Sequence, residues 1–287
     1  MKNFAKGLGL SIVTFAVIGC GSGTSSLPSQ PSSDKMSKIT PENSQKVSSG
    51  ALGSVSSLDN STQDLNNLRK VADTKSLRAV SKELIKLSRH ESQSCEGGGN
   101  IEADSNDGRT GTVTFNNCQQ GDVIVDGNAQ VVSNSYPIRE VKFNNFSMKD
   151  SFTGDYMSIK SGTVKMNESN NELWLKKLYA DIKSGSSEYS YMNFNLHKDY
   201  QKTELNGYVK TPCTNGYVKI ETKPDLKYIP DAPEGLVEIS SNSKTVKIKF
   251  NGDSVDYTNV DGNTTTYTLK QFNNKLRDMS RSCSAMN

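Results

Sequence analysis

Apolar and polar residues alternate along most of the chain from residue 110 onward. The pairs Val113 and Phe115, and later Val246 and Ile248, are separated by single polar residues. This period of two is that of a β-strand with one buried face and one face in water. Hairpin-forming residues stand between many of the runs: Gln120-Gly121, Ser161-Gly162, Asn170-Asn171, Ser184-Gly185, Asn206-Gly207, Asn215-Gly216, Asn251-Gly252 and Asp261-Gly262.

The alternation predicts a mainly β fold, a large antiparallel β meander over residues 94–287. It is compatible with a curled sheet or half-barrel and also with a two-layer sandwich. The proline-containing segment Lys223–Glu234 is expected to be a loop that crosses from a larger to a smaller set of strands.

Before the strands, the hydrophobic pattern changes twice. Leu65, Leu68, Leu84 and Leu87 recur at helical spacing within residues 61–93, which predicts one or two short amphipathic helices that pack on their own domain. Residues 20–60 are rich in Ser, Gly, Pro, Asn and Gln with only single apolar residues. This composition predicts a flexible tether.

The N-terminus has the pattern of an export signal. Lys2 and Lys6 precede an apolar stretch over residues 8–18 that suits a signal peptide but is too short to span a bilayer. The stretch ends in Val17-Ile18-Gly19-Cys20, which closely resembles the lipobox of bacterial lipoproteins.

That resemblance implies how the protein is processed and where in the cell it is located. Residues 1–19 would be the signal peptide, and Cys20 would carry acyl chains such as palmitate that anchor the protein to a membrane. Two or more chains are needed for stable attachment. Because Gly21 rather than Asp follows the cysteine, the resemblance implies the outer membrane, on its periplasmic face or at the cell surface.

Charge and hydropathy add little to this predicted location. Loss of residues 1–19 removes Lys2 and Lys6, so that 34 basic and 31 acidic residues become 32 and 31, a net charge of +1. A nearly neutral chain argues against a nucleic-acid partner, which would require a basic stripe. The mean hydropathy is −0.62, and no other stretch approaches the length of a membrane span.

Four cysteines remain after the lipid-bearing one. An even number in an exported chain predicts disulfides, of which three pairings are possible. We favour Cys95–Cys118 and Cys213–Cys283, since the first pair encloses a turn-rich segment and the second ties the C-terminal tail to the domain. No cysteine has a second ligand at zinc-finger spacing, so neither a metal nor a cofactor is expected.

Candidate catalytic residues are few. Only His90 and His197 could serve as a base, and no Gly-x-Ser-x-Gly motif is present, so no nucleophilic triad is expected. Trp174, the single tryptophan, alternates with Leu173 and Leu175 and is therefore expected on the wetter face of its strand. It could be a platform for a ligand, or an aromatic side chain that covers the sheet.

The sequence therefore favours a non-enzymatic binding or structural role at the cell envelope. An apolar or amphiphilic small molecule could lie between the sheet and the helices of residues 61–89, provided that the sheet curls around a cavity. The alternatives are a hydrolase of envelope glycans or esters and a surface adhesion or scaffold lipoprotein.

Overall fold

An antiparallel sheet of fifteen strands dominates the structure. The computed structural model describes residues 27–58, 81, 92–105, 110–228 and 232–284. The strands are β1 (Gln93–Ser94), β2 (Asn100–Asp104), β3 (Gly111–Gln120), β4 (Val123–Ser135), β5 (Ile138–Asp150), β6 (Tyr156–Asn167), β7 (Glu172–Ser184), β8 (Ser187–Lys198), β9 (Lys202–Lys210), β10 (Val218–Thr222), β11 (Leu226–Tyr228), β12 (Pro233–Ser241), β13 (Lys244–Asn251), β14 (Ser254–Thr258) and β15 (Thr264–Thr268). The helices are α1 (Ser44–Leu58) and α2 (Leu269–Ser284), and Ser33–Lys35 forms one 3₁₀ turn. The mainly β antiparallel meander predicted from the sequence is confirmed.

The strand order follows the chain without a crossover to a second sheet. Strand β10 pairs directly with β12, with Ile220 opposite Ile239, and the short β11 pairs with both β9 and β12. The expectation that Lys223–Glu234 crosses between two sets of strands is therefore wrong. The segment instead connects neighbouring strands of the same sheet. The apolar residues of β10 and β12 lie on the same face, which lets the two strands pair directly.

A line of β-bulges crosses the central strands. Asn117, Asn145, Lys177 and Asn193 have positive φ values of 47–49°, and the register shifts beside each of them. Aligned bulges bend successive strands at the same level and increase the twist, so this line curls the sheet. Between the bulges the backbones approach closely, and a Cβ added to Gly207 would lie 2.5 Å from the Cα of Phe194.

Two predicted turns belong to this line. Ser161-Gly162 and Asn206-Gly207 lie inside β6 and β9, so their assignment as hairpin turns is wrong. At Gly207 the neighbouring backbone leaves no space for a side chain, whereas at Gly162 an added Cβ would be in tight contact with Leu178, 3.0 Å from its Cδ1.

The apolar residues of the alternating pattern form one continuous core on the inner face of the sheet. The largest of the fully buried side chains are Phe146, Phe194, Leu58, Ile159, Met166, Leu173, Leu175, Leu178 and Leu196. Transfer of each such side chain from water contributes about 1.5–3 kcal/mol, so this face supplies the main stabilisation of the fold.

The tether predicted over residues 20–60 does not describe residues 27–58. These residues pass over one end of the sheet and then form α1. There the backbone amide of Ser37 donates to the carbonyl of Tyr217, and the amide of Tyr217 donates to the carbonyl of Lys35. Val47, Ala51 and Leu58 are buried, and the hydroxyl of Tyr191 donates to the carbonyl of Ser54 at 2.7 Å. The composition did not indicate this helix, because its few apolar residues lie on one face and are separated by serines and glycines.

Helix α2 was not predicted, since residues 94–287 were assigned to strands alone. Phe272, Leu276 and Met279 recur at helical spacing, and Phe272 packs edge-on against Phe250 of β13. The helix also packs against α1, where the hydroxyl of Ser49 donates to the carbonyl of Leu276. The helices predicted within 61–93 lie almost wholly outside the described residues.

Two disulfides cross-link the fold, one at the first edge of the sheet and one at the C-terminal helix. Cys95–Cys118 joins the residue after β1 to β3, and Cys213–Cys283 joins the β9–β10 connection to α2. These are the two pairs favoured from the sequence. In the part of the chain that the structure describes, neither helix has the length and apolar character needed to cross a membrane.

Candidate functional site

Four polar and aromatic side chains form a row across the outer face of the sheet. Lys165 of β6 lies opposite Trp174 of β7, Trp174 lies opposite His197 of β8, and His197 lies opposite Glu204 of β9. Each precedes or follows a buried residue in its strand, so alternation places all four on the face away from the core. This row was not recognised as a unit from the sequence, because its members come from four strands.

The indole of Trp174 is enclosed by its neighbours. The imidazole of His197 stacks on it with ring centroids 5.0 Å apart and planes inclined by 9°. The ammonium of Lys165, on the neighbouring strand of the other side, lies 5.0 Å from the ring centroid. Both faces of the indole are therefore in use, which favours its role as a cover of the sheet over that of an open stacking platform.

His197 is surrounded by carboxylates. Its Nε2 lies 2.6 Å from Oε1 of Glu172, and its Nδ1 lies 3.8 Å from Oε2 of Glu204. Asp199, just beyond the end of β8, accepts hydrogen bonds from the backbone amides of Gln201 and Lys202 and so shapes the β8–β9 turn. Among the described residues, no lysine or arginine forms an ion pair with these three carboxylates, so the cluster has an excess of negative charge.

The same cluster contains the donor set of a possible metal site. One ligand atom each from Glu172, His197 and Asp199 lies within 4.8 Å of the other two. Imidazole with carboxylates suits a divalent transition metal. Hydrogen bonds within the cluster also account for its arrangement without an ion. The expectation of no metal rested on cysteine spacing, whereas this set arises from two strands that a hairpin brings together.

The described site lacks the geometry of nucleophilic catalysis. The neighbours of His197 are an indole and carboxylates, with no serine or cysteine bonded to its ring in this part of the chain. His90 and Cys20 lie outside the described residues. A base without a nucleophile beside it cannot act as a triad.

One small cavity lies between α2 and the sheet. It has a volume of about 10 Å³ and is lined in part by Tyr257, Phe272 and Met279. A space of this size holds no more than one water molecule, whereas ligand pockets measure about 300–1,000 Å³. The larger cavity expected between the sheet and residues 61–89 would be formed with residues outside those described.

Comparisons of the chain with protein-family models, with curated proteins and with solved structures found no match in any of the three.

Proposed function

We propose that this protein is a lipid-anchored component of the bacterial cell envelope with a non-catalytic binding or structural role. The observation that carries the proposal is the pair of disulfides, of which Cys118 and Cys283 are almost fully buried. Structural disulfides are typical of proteins that mature in an oxidising compartment. This agrees with the export signal and the Val17-Ile18-Gly19-Cys20 sequence, which resembles a lipobox.

The filled core supports a scaffold rather than an apolar-ligand carrier in the described part of the protein. The central inner-face residues Val164, Leu173 and Phe194 have no accessible surface. The sheet therefore presents its polar outer face for interaction. The hydrolase alternative gains no support from His197, whose ring contacts are with carboxylates and an indole.

The anchor is tested by growth with labelled palmitate. We expect the wild-type protein to incorporate label and to fractionate with outer membranes. Cys20→Ser should do neither, while Ser22→Ala should behave as the wild type. Labelling of Cys20→Ser, or its retention in the membrane fraction, would disprove the anchor.

The non-catalytic role is tested by complementation of a strain that lacks the gene. For an envelope phenotype of that strain, such as detergent sensitivity, His197→Gln should restore growth as well as the wild type does. Cys20→Ser should not restore it. Failure of His197→Gln, at wild-type protein levels, would favour the hydrolase.

A further inference from the structure

The outer face of β5, β6 and β7 carries an exposed group of lysines. They are Lys142, Lys160, Lys176 and Lys177, here called the lysine patch, and all four side chains are exposed. Lys142 and Lys176 both lie opposite Thr163 on the strand between them, which places them about 10 Å apart. The bulge at Lys177 keeps two successive lysines on the same face of β7.

The side chains of the lysine patch are not paired with acids in the described structure. None of its members forms an ion pair there, in contrast to Lys219 and Lys223, which share Glu221 at 2.7 Å. Two acidic residues of this face lie next to the patch, Glu140 two residues before Lys142 and Asp181 opposite Ser158 of β6, so the four lysines outnumber the nearby carboxylates. The patch is thus a local concentration of positive charge on a chain with a net charge near zero.

The N-terminal segment meets the outer face beside the lysine patch. Tyr179, two residues after Lys177, donates a hydrogen bond to the carbonyl of Pro28 at 3.1 Å. The side-chain amide of Asn193 donates to the carbonyl of Ser29, also at 3.1 Å. The first described residues of the chain therefore lie on the same face that bears the lysines.

The distance from this point to the lipid-bearing residue is short. Cys20 precedes Pro28 by eight residues, which span at most about 29 Å even when fully extended. A tether over residues 20–60 would have allowed the domain to move far from the membrane. The ordered path of residues 27–58 removes most of that length and brings the outer face close to the bilayer.

We infer that the lysine patch lies against the anionic headgroups of the leaflet that holds the lipid anchor, so that the sheet is oriented with its outer face toward the membrane. This inference rests on the proposed function, because it requires Cys20 to be acylated. Lysines near an anionic bilayer are attracted over about one Debye length, roughly 10 Å, and a connection of at most about 29 Å allows the patch to come within that distance. The acyl chains supply attachment, and the patch supplies orientation.

Trp174 provides a reporter for the test, since it is the single tryptophan and lies on the outer face two residues before Lys176. The acylated full-length mature protein is reconstituted into vesicles that contain a dansyl-labelled lipid. Energy transfer from Trp174 is compared between phosphatidylcholine vesicles and vesicles with added phosphatidylglycerol. We expect greater transfer in the anionic vesicles, and loss of the difference at high salt.

The lysine patch is then neutralised by Lys142→Gln, Lys160→Gln, Lys176→Gln and Lys177→Gln together. We expect this variant to show, on anionic vesicles, the transfer that the wild type shows on neutral ones. The matched control changes four exposed lysines elsewhere and thus alters net charge equally: Lys227→Gln, Lys244→Gln, Lys249→Gln and Lys270→Gln. It should behave as the wild type, and circular dichroism checks that both variants are folded.

The outcomes separate the two proposals. Failure of the protein to float with neutral vesicles would show that the anchor is absent, which overturns the proposed function and this inference with it. Flotation with transfer that is independent of lipid charge, or equal in the patch and control variants, overturns the orientation alone. A soluble polyanion as the true partner of the lysines would give that second result.

Discussion

Two glycines in α1 distinguish a docked helix from a free tether. In a helix interior, Gly→Ala stabilises by about 0.5–1 kcal/mol because alanine loses less backbone entropy. That gain requires space for the new methyl group. At Gly50 a Cβ would lie 2.6 Å from the Cβ of Cys213 and would also overlap Oγ1 of Thr211. At Gly53 the only described atom that it would meet is the hydroxyl of Ser280, at 3.8 Å.

The neighbours of Gly50 cannot move aside easily. Oγ1 of Thr211 accepts a hydrogen bond from the backbone amide of Cys213 at 3.1 Å, and Cys213 is held by its disulfide to Cys283. Overpacking of such a site costs about 1–3 kcal/mol. We therefore expect Gly50→Ala to destabilise the protein by about 1–2 kcal/mol after the helix-propensity gain is subtracted.

Gly53→Ala is the matched control and should stabilise by about 0.5–1 kcal/mol. The assay is urea unfolding with intact disulfides, followed by far-ultraviolet circular dichroism. The thermal midpoints should move in opposite directions, by about 2–4 °C per kcal/mol for a domain of this size. Equal stabilisation by both substitutions would refute the close contact of α1 with the β9–β10 connection. No effect of either would mean that the segment behaves as the tether its composition suggested.

Two further predictions concern the disulfides and the tyrosines. Replacing both Cys213 and Cys283 by serine should cost about 4 kcal/mol in the loop-entropy model, because the bond closes a separation of 70 residues; an unchanged urea midpoint, or another pairing in a non-reducing peptide map, would contradict this. Burial, together with a hydrogen bond to Glu188, raises the pKa of Tyr156 to about 12. Stability should therefore decline as the pH rises from about 10 toward 12, since tyrosines ionise first in the unfolded chain. In an ultraviolet titration of the phenolates, Glu188→Gln should move the Tyr156 component to lower pH, and an unaltered curve would refute the assignment.

The sequence predicted the strands because their signal is local. In a regular strand, odd- and even-numbered residues point to opposite faces of the sheet. The alternation around Val113 and Val246 therefore indicates which residues are buried, whichever strand pairs with them. The disulfides could also be predicted, because the four cysteines that follow Cys20 allow only three pairings. The wetter face predicted for Trp174 follows from the same parity rule.

Other features depend on contacts that no single segment contains. Gly185 and Gly207 both follow a residue common in turns, yet Gly185 is in a hairpin and Gly207 lies in β9 opposite the bulge of β8, where an added Cβ would meet Phe194. Only the partner backbone distinguishes the two. Helix α1 likewise has low average hydrophobicity, and it is stable because residues distant in sequence, such as Tyr191, cover its few apolar positions.

The candidate site likewise combines features that follow from local sequence with features that depend on strand pairing. Local alternation determined that Lys165, Trp174, His197 and Glu204 would each face outward. Only the register of β6 to β9 decided that they form one row, because register is fixed by the match of apolar faces and by the bulges rather than by the polar residues themselves. The address of the protein is a proposal from its first twenty residues alone, whereas the orientation of its sheet on the membrane could be inferred only from where the folded chain places Pro28 and the lysines.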